Sequence, residues 1–361
     1  IINTVNCVGI MGKGIALEFK KRFPDMYKDY VKRCERNEVR LGKPYLYKSL
    51  FGQQIVNFPT KEHWKSVSKI SDIEKGLEYL VRNYKQWDIT SIAIPSLGCG
   101  NGQLEWKSVG PLIYKMAKQM DIPIEIYAPY GTNATELTVS FFENGLKSAI
   151  SSTNNLKAEY LAFNPAWLGL IEILGRIERQ PYHWPVGRTT FQKIAYVATQ
   201  QGLPTGFSYQ RSSFGPFAKE LKLAETKLIN NNLLQEERLG RMFKVKAGSA
   251  FEDVRKRYDS FLNNYIGIIQ KTTDLFMRVD TTQAEILATV IFVVNELKGN
   301  KGRPVTELDV LDAVMEWKQR RKPSLDKIMV ASTIRNLGML DWIDVQPDEK
   351  LPLPEDIEAY V

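Results

Sequence analysis

Histidine and cysteine are scarce in this chain: 361 residues contain only His63 and His183, with Cys7, Cys34 and Cys99. So few, so far apart, leave no His/Cys set with zinc-ligand spacing. Three cysteines make no disulfide framework, which points to a reducing compartment. Long apolar runs are missing too: none approaches the ~18 residues that span a bilayer, and no signal-peptide pattern opens the sequence. These absences lead to the expectation of a cytoplasmic protein with no metal, no cofactor and no membrane association. What is present is ordinary for a globular protein, at 43% hydrophobic and 25% charged residues. The length calls for two domains or more. A net charge of +8 suits an anionic partner, and it is unevenly placed, +6 over residues 1–150 and +2 over 151–361.

The N-terminal stretch Asn3-Thr4-Val5-Asn6-Cys7-Val8-Gly9-Ile10-Met11-Gly12-Lys13-Gly14-Ile15-Ala16 reads as the end of a buried strand, a glycine-rich turn and the start of a helix. Its glycines let backbone approach a ligand and take positive φ. Ile15, Phe19 and Phe23 follow at helical spacing until Pro24. The free N–H groups of that helix start make an anion site. The glycine spacing is neither GxGxxG nor a P-loop, which argues against a phosphate-loop NTPase.

Strand and helix alternate up to about residue 130. Tyr27, Tyr30, Val31 and Cys34 form a helical stripe, 43–47 and 54–58 read as strands, and Ser71 with Glu74 forms a capping box before Ile73, Leu77, Leu80 and Tyr84. Residues 92–95 form a short buried strand, a helix starts near Trp106, and 122–127 give another strand. The alternation argues a parallel or mixed sheet between helices. Its ligand site lies outside the strand C-termini. A second loop, Ser96-Leu97-Gly98-Cys99-Gly100-Asn101-Gly102, again joins strand to helix. Two such loops would grip a diphosphate through backbone amides, or be no more than two tight turns.

Asn3-Thr4-Val5-Asn6, the Met11-Gly12-Lys13-Gly14-Ile15-Ala16 turn and Pro95-Ser96-Leu97-Gly98-Cys99-Gly100-Asn101-Gly102 together resemble a macrodomain, the ADP-ribose-binding fold, and within it the DarG antitoxin family. The resemblance covers residues 1–132. It implies an α/β macrodomain with a mixed sheet between helices, acting as a DNA ADP-ribosyl glycohydrolase that reverses base modification by a DarT-type toxin on single-stranded DNA. The modified base is expected to be thymidine, with guanosine the alternative. The family's first strand, with a turn that helps hold adenine, is expected to be missing before Ile1. The resemblance implies an ADP-ribose site of Asn6 (at the distal ribose), Gly9, Met11, Gly12, Lys13, Gly14, Ile15, Ser96, Leu97, Gly98, Cys99, Gly100 and Asn101.

It also implies a catalytic role for Lys61 in Thr60-Lys61-Glu62-His63-Trp64. Cleaving a base–ribose bond builds positive charge at the anomeric carbon. A neutral amine there would attack that carbon or activate water, provided burial or nearby cations lower its pKa from about 10.4. Thr60, His63 and Trp64 are read as supporting residues, Trp64 as holding the loop or stacking a base. Protein-directed relatives carry an Asp near the position of Gly102. Here Asn101, Gly102 and Gln103 offer no carboxylate and Glu105 is the nearest, so the chemistry falls to Lys61. Cys99 lacks a partnering His or Asp and is read as structural.

Residues 133–155 read as a linker with a hinge at 151–155 and a short helix within 137–150. Residues 156–361 read as mainly helical and winged-helix-like: helix at 189–200, a strand-like run at 207–214, helix at 217–234, strand at 241–245, then helices near 251–272, 282–298, 306–319 and 324–336. Lys193, Tyr209, Gly215-Pro216-Phe217 and Leu221 resemble the C-terminal module of DarG-type antitoxins, which implies a toxin-binding domain. Residues 341–361 hold seven acidic side chains against Lys350. These would meet a nucleic-acid-handling toxin's basic groove. The alternative from a different class is a non-catalytic ADP-ribose reader fused to a DNA-binding regulator.

Overall fold

A computed structural model describes residues 1–49, 53–151, 163–240, 242–300 and 304–354. The chain divides into two units, Ile1–Ala162 with Thr226–Asn231, and Phe163–Glu225 with Asn232–Val361.

In the first unit, β1 (Ile2–Asn6) runs parallel to β3 (Ile55–Lys61), and β2 (Tyr45–Tyr47) pairs antiparallel on β3's other edge. A parallel pair, β4 (Ile92–Ile94) and β5 (Ile124–Ile126), completes the mixed set. β3 is buried from Ile55 to Thr60, as a central strand covered on both faces must be. It nevertheless contains Pro59. Val56 N–H donates to Ile1 O, and Tyr45 and Tyr47 pair with Asn57 and Ile55, so alternate residues of β3 face β1 and β2. Pro59 faces β2's side beyond Tyr45, where pairing has ended, and its missing N–H costs no ladder bond.

The faces of β3 feed two cores. Val56 and Phe58, with Ile2, pack against α3 (Ile70–Asn83) and α4 (Trp106–Ala117) through Ile73, Leu77, Leu80, Val109, Ile113 and Met116. Ile55, with Val5, packs against α1 (Gly14–Arg22) and α2 (Pro24–Glu35) through Phe19, Met26 and Tyr30. The result is a sheet between helix layers. α3 comes so close that a Cβ on Gly76 would run into the Phe58 ring. The capping box does not form. α3 starts two residues earlier, with Ile70 against the core, so Ser71 lies inside the helix and the flanking Lys69 offers no side-chain cap. The stretch expected as linker is ordered where described: a 3-10 turn (Ala134–Leu137) leads into α5 (Val139–Ser151), and Phe142 enters the core beside Trp106 and Tyr114. Residues 152–155 of the expected hinge lie outside the described residues.

The second unit is mainly helical. α6 (Ala166–Glu178) and α7 (Arg188–Gln200) are buried almost all round. α8 (Glu220–Asn230), of which Thr226–Asn230 counts with the first unit, precedes an antiparallel hairpin, β6 (Leu234–Leu239) with β7 (Met242–Ala247). Helix ends at Asn230; of 231–234, expected as helix, residues 231–233 form a turn and Leu234 opens β6. α9 (Phe251–Arg257), α10 (Asp259–Asn264), α11 (Ile266–Phe276), α12 (Thr281–Asn300), α13 (Glu307–Lys318) and α14 (Lys327–Met339) follow. Thr306 and Asp309 form a reciprocal cap on α13.

The expected strand at 207–214 is absent; Gln210 makes a lone bridge to Phe217. Its carbonyl partners are cations. Buried Lys193 donates to Pro216 O (2.7 Å) and buried Lys318 to Ser213 O (3.0 Å) and to Glu285 (2.8 Å), which Arg321 also pairs. Polar side chains invisible as partners in the sequence therefore fix this loop. Burial, with Lys318 nearby, brings Lys193 down to about 7.

Burial pushes the fully enclosed Glu225 carboxyl up to about 8, aided by Glu236 and opposed by Arg188 and Lys222. Between its ordinary 4.5 and about 8 the folded chain keeps a proton that the unfolded chain has lost. Stability should therefore fall as pH rises through this window, by at most ~1.4 kcal/mol per pH unit. Urea midpoints at both ends of the window should converge in Glu225→Gln, whose amide does not titrate. An unchanged gap between the midpoints would assign the dependence to other groups.

Candidate functional site

Both glycine loops start at the C-terminal ends of parallel strands, as the sequence requires. The first is shaped by Asn6, the last residue of β1 and only 6% exposed. Its Oδ1 accepts from Val8 N–H (3.0 Å), Ile10 N–H (3.4 Å) and the Tyr30 hydroxyl (2.9 Å), and its Nδ2 donates to Ile10 O. The Tyr30 hydroxyl also lies 2.8 Å from Asn6 O. Burial holds this phenol well above its ordinary pKa, so it stays a donor. Asn6, expected at the distal ribose, is thus engaged inside the loop. Met11 is likewise in the core, its sulfur 4.0 Å from Asn3 Nδ2. Gly9 takes a positive φ, while Gly12, Lys13, Gly14 and Ile15 are exposed at the mouth where α1 begins.

The second loop leaves β4 through Ser96 and buried Leu97. Gly98 has φ +74°, and a Cβ on it would press against Leu104 and Ser68. A Cβ on Gly102 would strike Ser68 Oγ and lie 2.5 Å from Gly98 O. Ser68 also donates its N–H to Gly102 O (3.0 Å). Ser68 therefore explains two of the loop's glycines, and no pattern in the sequence signalled it; Tyr30 was visible only as one member of a helical stripe. Gly100 is different. It is exposed and a Cβ there would meet nothing within 4 Å. Burial pushes the Cys99 thiol up to about 12, which leaves it no nucleophile.

The two loops meet at Gly14 and Asn101. Gly14 has φ +58°, and a Cβ on it would stand 3.2 Å from Asn101 Nδ2. Lys61 joins them: its Nζ donates to Asn101 O at 2.9 Å. A bulge puts it there. Val5 pairs with Pro59 but Asn6 with Lys61, so β3 carries one extra residue, Thr60, and the next side chain is re-aimed. Thr60 itself is buried, with Oγ1 3.4 Å from Val5 O. Beyond Lys61, Cys7 N–H donates to Glu62 O (2.9 Å), and His63 and Trp64 stack with centroids 5.5 Å apart. Among the described residues no group of three His, Cys, Asp or Glu could hold a metal, and no helix is long and apolar enough to cross a membrane.

Lys61 and Gly14 thus both meet Asn101, and the second loop itself brings no carboxylate to them. The Macro domain family matches residues 2–113. A DNA ADP-ribosyl glycohydrolase of Mycobacterium tuberculosis is 29% identical over 349 residues, taking in 93% of this chain and 88% of that protein. The solved macrodomain of Mycobacterium tuberculosis DarG is 46% identical, with 36% of this chain and 87% of that chain covered and a TM-score of 0.35. The chain belongs to the DarG family. A further relative, a DNA ADP-ribosyl transferase–DNA ADP-ribosyl glycohydrolase fusion protein of Thermosipho africanus, is 41% identical over 155 residues, 38% of this chain and 40% of that protein. In this DarG-family chain the first unit carries the macrodomain fold, and both glycine loops lie within the matched residues.

The loop geometry separates glycines that pack from glycines that face open space. Gly102→Ala should lower stability by about 1–3 kcal/mol, because Ser68 and backbone must move. Gly100→Ala should stay within about 0.5 kcal/mol of the parent. Thermal unfolding of both variants checks this, and equal losses would refute the loop packing.

Proposed function

We propose that the chain removes ADP-ribose from modified bases in single-stranded DNA, and that its second unit binds and neutralises the ADP-ribosyltransferase toxin that installs them. The relatives' names support the reaction, and the juxtaposition of Lys61 with both glycine loops carries it here. The loop amides and the α1 N-terminus receive the diphosphate. The distal ribose then lies toward Lys61. As the base–C1″ bond breaks, charge grows on the sugar as in other glycosidic cleavages. The Lys61 amine either takes the carbon itself or takes a proton from the attacking water. Water's oxygen ends on C1″, giving free ADP-ribose, and the base regains a proton at the nitrogen released. Asn6 meets the distal ribose at the end of β1 while Tyr30 holds it in place. The base is thymidine in this reading, on the strength of the family resemblance; oligonucleotides modified at thymidine or at guanosine test it.

Toxin binding is supported by the Thermosipho africanus fusion, whose name joins the two activities in one chain. The second unit is further read as a winged helix. α6, a short edge at Val186 and Gly187 bonded to β7, α7, α8 and the β6–β7 hairpin occur in that order, with Val245 N–H donating to Val186 O at 2.8 Å.

Incubation with ADP-ribosylated oligonucleotide should release free ADP-ribose, whereas a non-catalytic reader would only bind. Lys61→Ala should cut kcat by about 10²-fold or more, and Lys61→Arg should not restore it, since guanidinium stays charged. Lys61→Ala should still capture the toxin. A nearly active Lys61→Ala beside an inactive, folded Lys13→Ala would move the chemistry to the first loop. Gly100→Val should weaken ADP-ribose binding, seen by calorimetry, by placing a side chain in the open space; unchanged affinity would refute the diphosphate assignment.

A further inference from the structure

The turn after Lys61 is fixed where it begins and where it returns. Glu62 O is bonded to Cys7 N–H (2.9 Å), and Ser68 N–H is bonded to Gly102 O (3.0 Å). Between these anchors the backbone folds tightly, Ser66 N–H donating to His63 O (2.9 Å) and Lys65 N–H to His63 Nδ1 (3.2 Å). A turn tied down this firmly presents Trp64 to solvent, 45% exposed. Its indole is stacked on His63, with Lys65 Nζ 4.9 Å from the ring centroid. An indole is large and apolar, and displaying one on a rigid turn forgoes the burial it would gain in a core. Its position, three residues from the amine at the loop junction, gives the exposure a use.

We propose that Trp64 is a stacking platform for the nucleotide next to the modified one, with Lys65 meeting the intervening phosphate. This rests on the reaction proposed above. A base whose glycosidic partner enters the opening at Lys61 has to leave its neighbours' stack. The neighbouring base then loses a face, and an exposed indole replaces it without reading sequence. Lys65 slides off the ring when a base arrives and pairs with the backbone charge, which adds a salt-dependent term. An aromatic ring with adjoining ammonium groups suits single-stranded nucleic acid better than a peptide, which brings no base to stack and no phosphate.

The test compares two substrates in the full-length protein: an ADP-ribosylated oligonucleotide, and the same modified nucleoside freed from its strand by nuclease digestion. Trp64→Ala should reduce the preference in kcat/KM for oligonucleotide over nucleoside by about 10-fold or more, and Trp64→Phe should restore part of it. A preference unchanged in Trp64→Ala would overturn the proposal. So would equal losses on both substrates, which would mean that Trp64 only supports the loop carrying Lys61. Binding of an unmodified, fluorescein-labelled oligothymidylate of about ten nucleotides, followed by anisotropy, reads the platform without turnover. Trp64→Ala should weaken it by a similar factor. An inactive wild-type protein whose strand affinity still depends on Trp64 would refute the glycohydrolase reading and leave the platform standing. An active one whose strand affinity does not change would do the reverse.

Discussion

Where β1 gives way to the first loop, the backbone loses its strand partners, and the Asn6 side chain supplies replacements for Val8 and Ile10 while Tyr30 holds Asn6 from below. Buried polar groups left without partners cost about 1–3 kcal/mol each, so this small network excludes other loop shapes. The outward rim follows from it. With Met11 drawn into the core and Gly9 turned through positive φ, residues 12–15 are left at the surface where α1 starts. The second loop is held by a different device, the packing of Ser68 against two glycines. Lys61 pairs with Asn6 at the root of the first loop and donates to Asn101 O of the second, just after the extra residue that β3 carries opposite the end of β1. The site is therefore a consequence of one asparagine, one serine and one bulge, all buried behind the residues that face the opening.

Much of the first unit was legible because its signals are local. Period-two and period-3.6 patterns gave the strands and helices, and glycines marked both loops between strand and helix. Lys61, Gly14, Gly100 and Asn101 were named from sequence and do lie together. The bonds of Asn6 to its own loop were not legible, since a strand-end asparagine looks the same in sequence whether or not it turns into the following loop. Ser68 and the bulge at Thr60 were illegible because they act across the fold, between segments whose register no local pattern reports. The capping box at Ser71 failed for a similar reason: the partly buried Ile70 packs on the core as the first helical residue, and its N–H is bonded across the fold to Asn230 Oδ1 (2.7 Å).

The second unit was read less well, and its chemistry shows why. Residues 207–214 have the alternation of a strand but end among cations, Lys318 donating to Ser213 O and Lys193 to Pro216 O just beyond. Glu285 balances Lys318 and Arg321 inside the same region. Charged side chains are normally assigned to the surface when a sequence is read, and here they form part of the interior. Removing one partner of such a buried group is strongly destabilising, so Lys193, Glu285 and Lys318 tolerate few single substitutions.

The cysteines have a practical consequence. Cys7, Cys34 and Cys99 are all free and half-buried, and burial pushes the thiols of Cys7 and Cys99 up to about 12. Thiolate, the reactive species, is then negligible at neutral pH while the fold is closed. Oxidants and alkylating reagents reach these sulfurs chiefly through opening of the structure. Since Cys7 follows β1 and Cys99 lies in the second loop, their labelling rates report separately on local opening at the ends of β1 and β4.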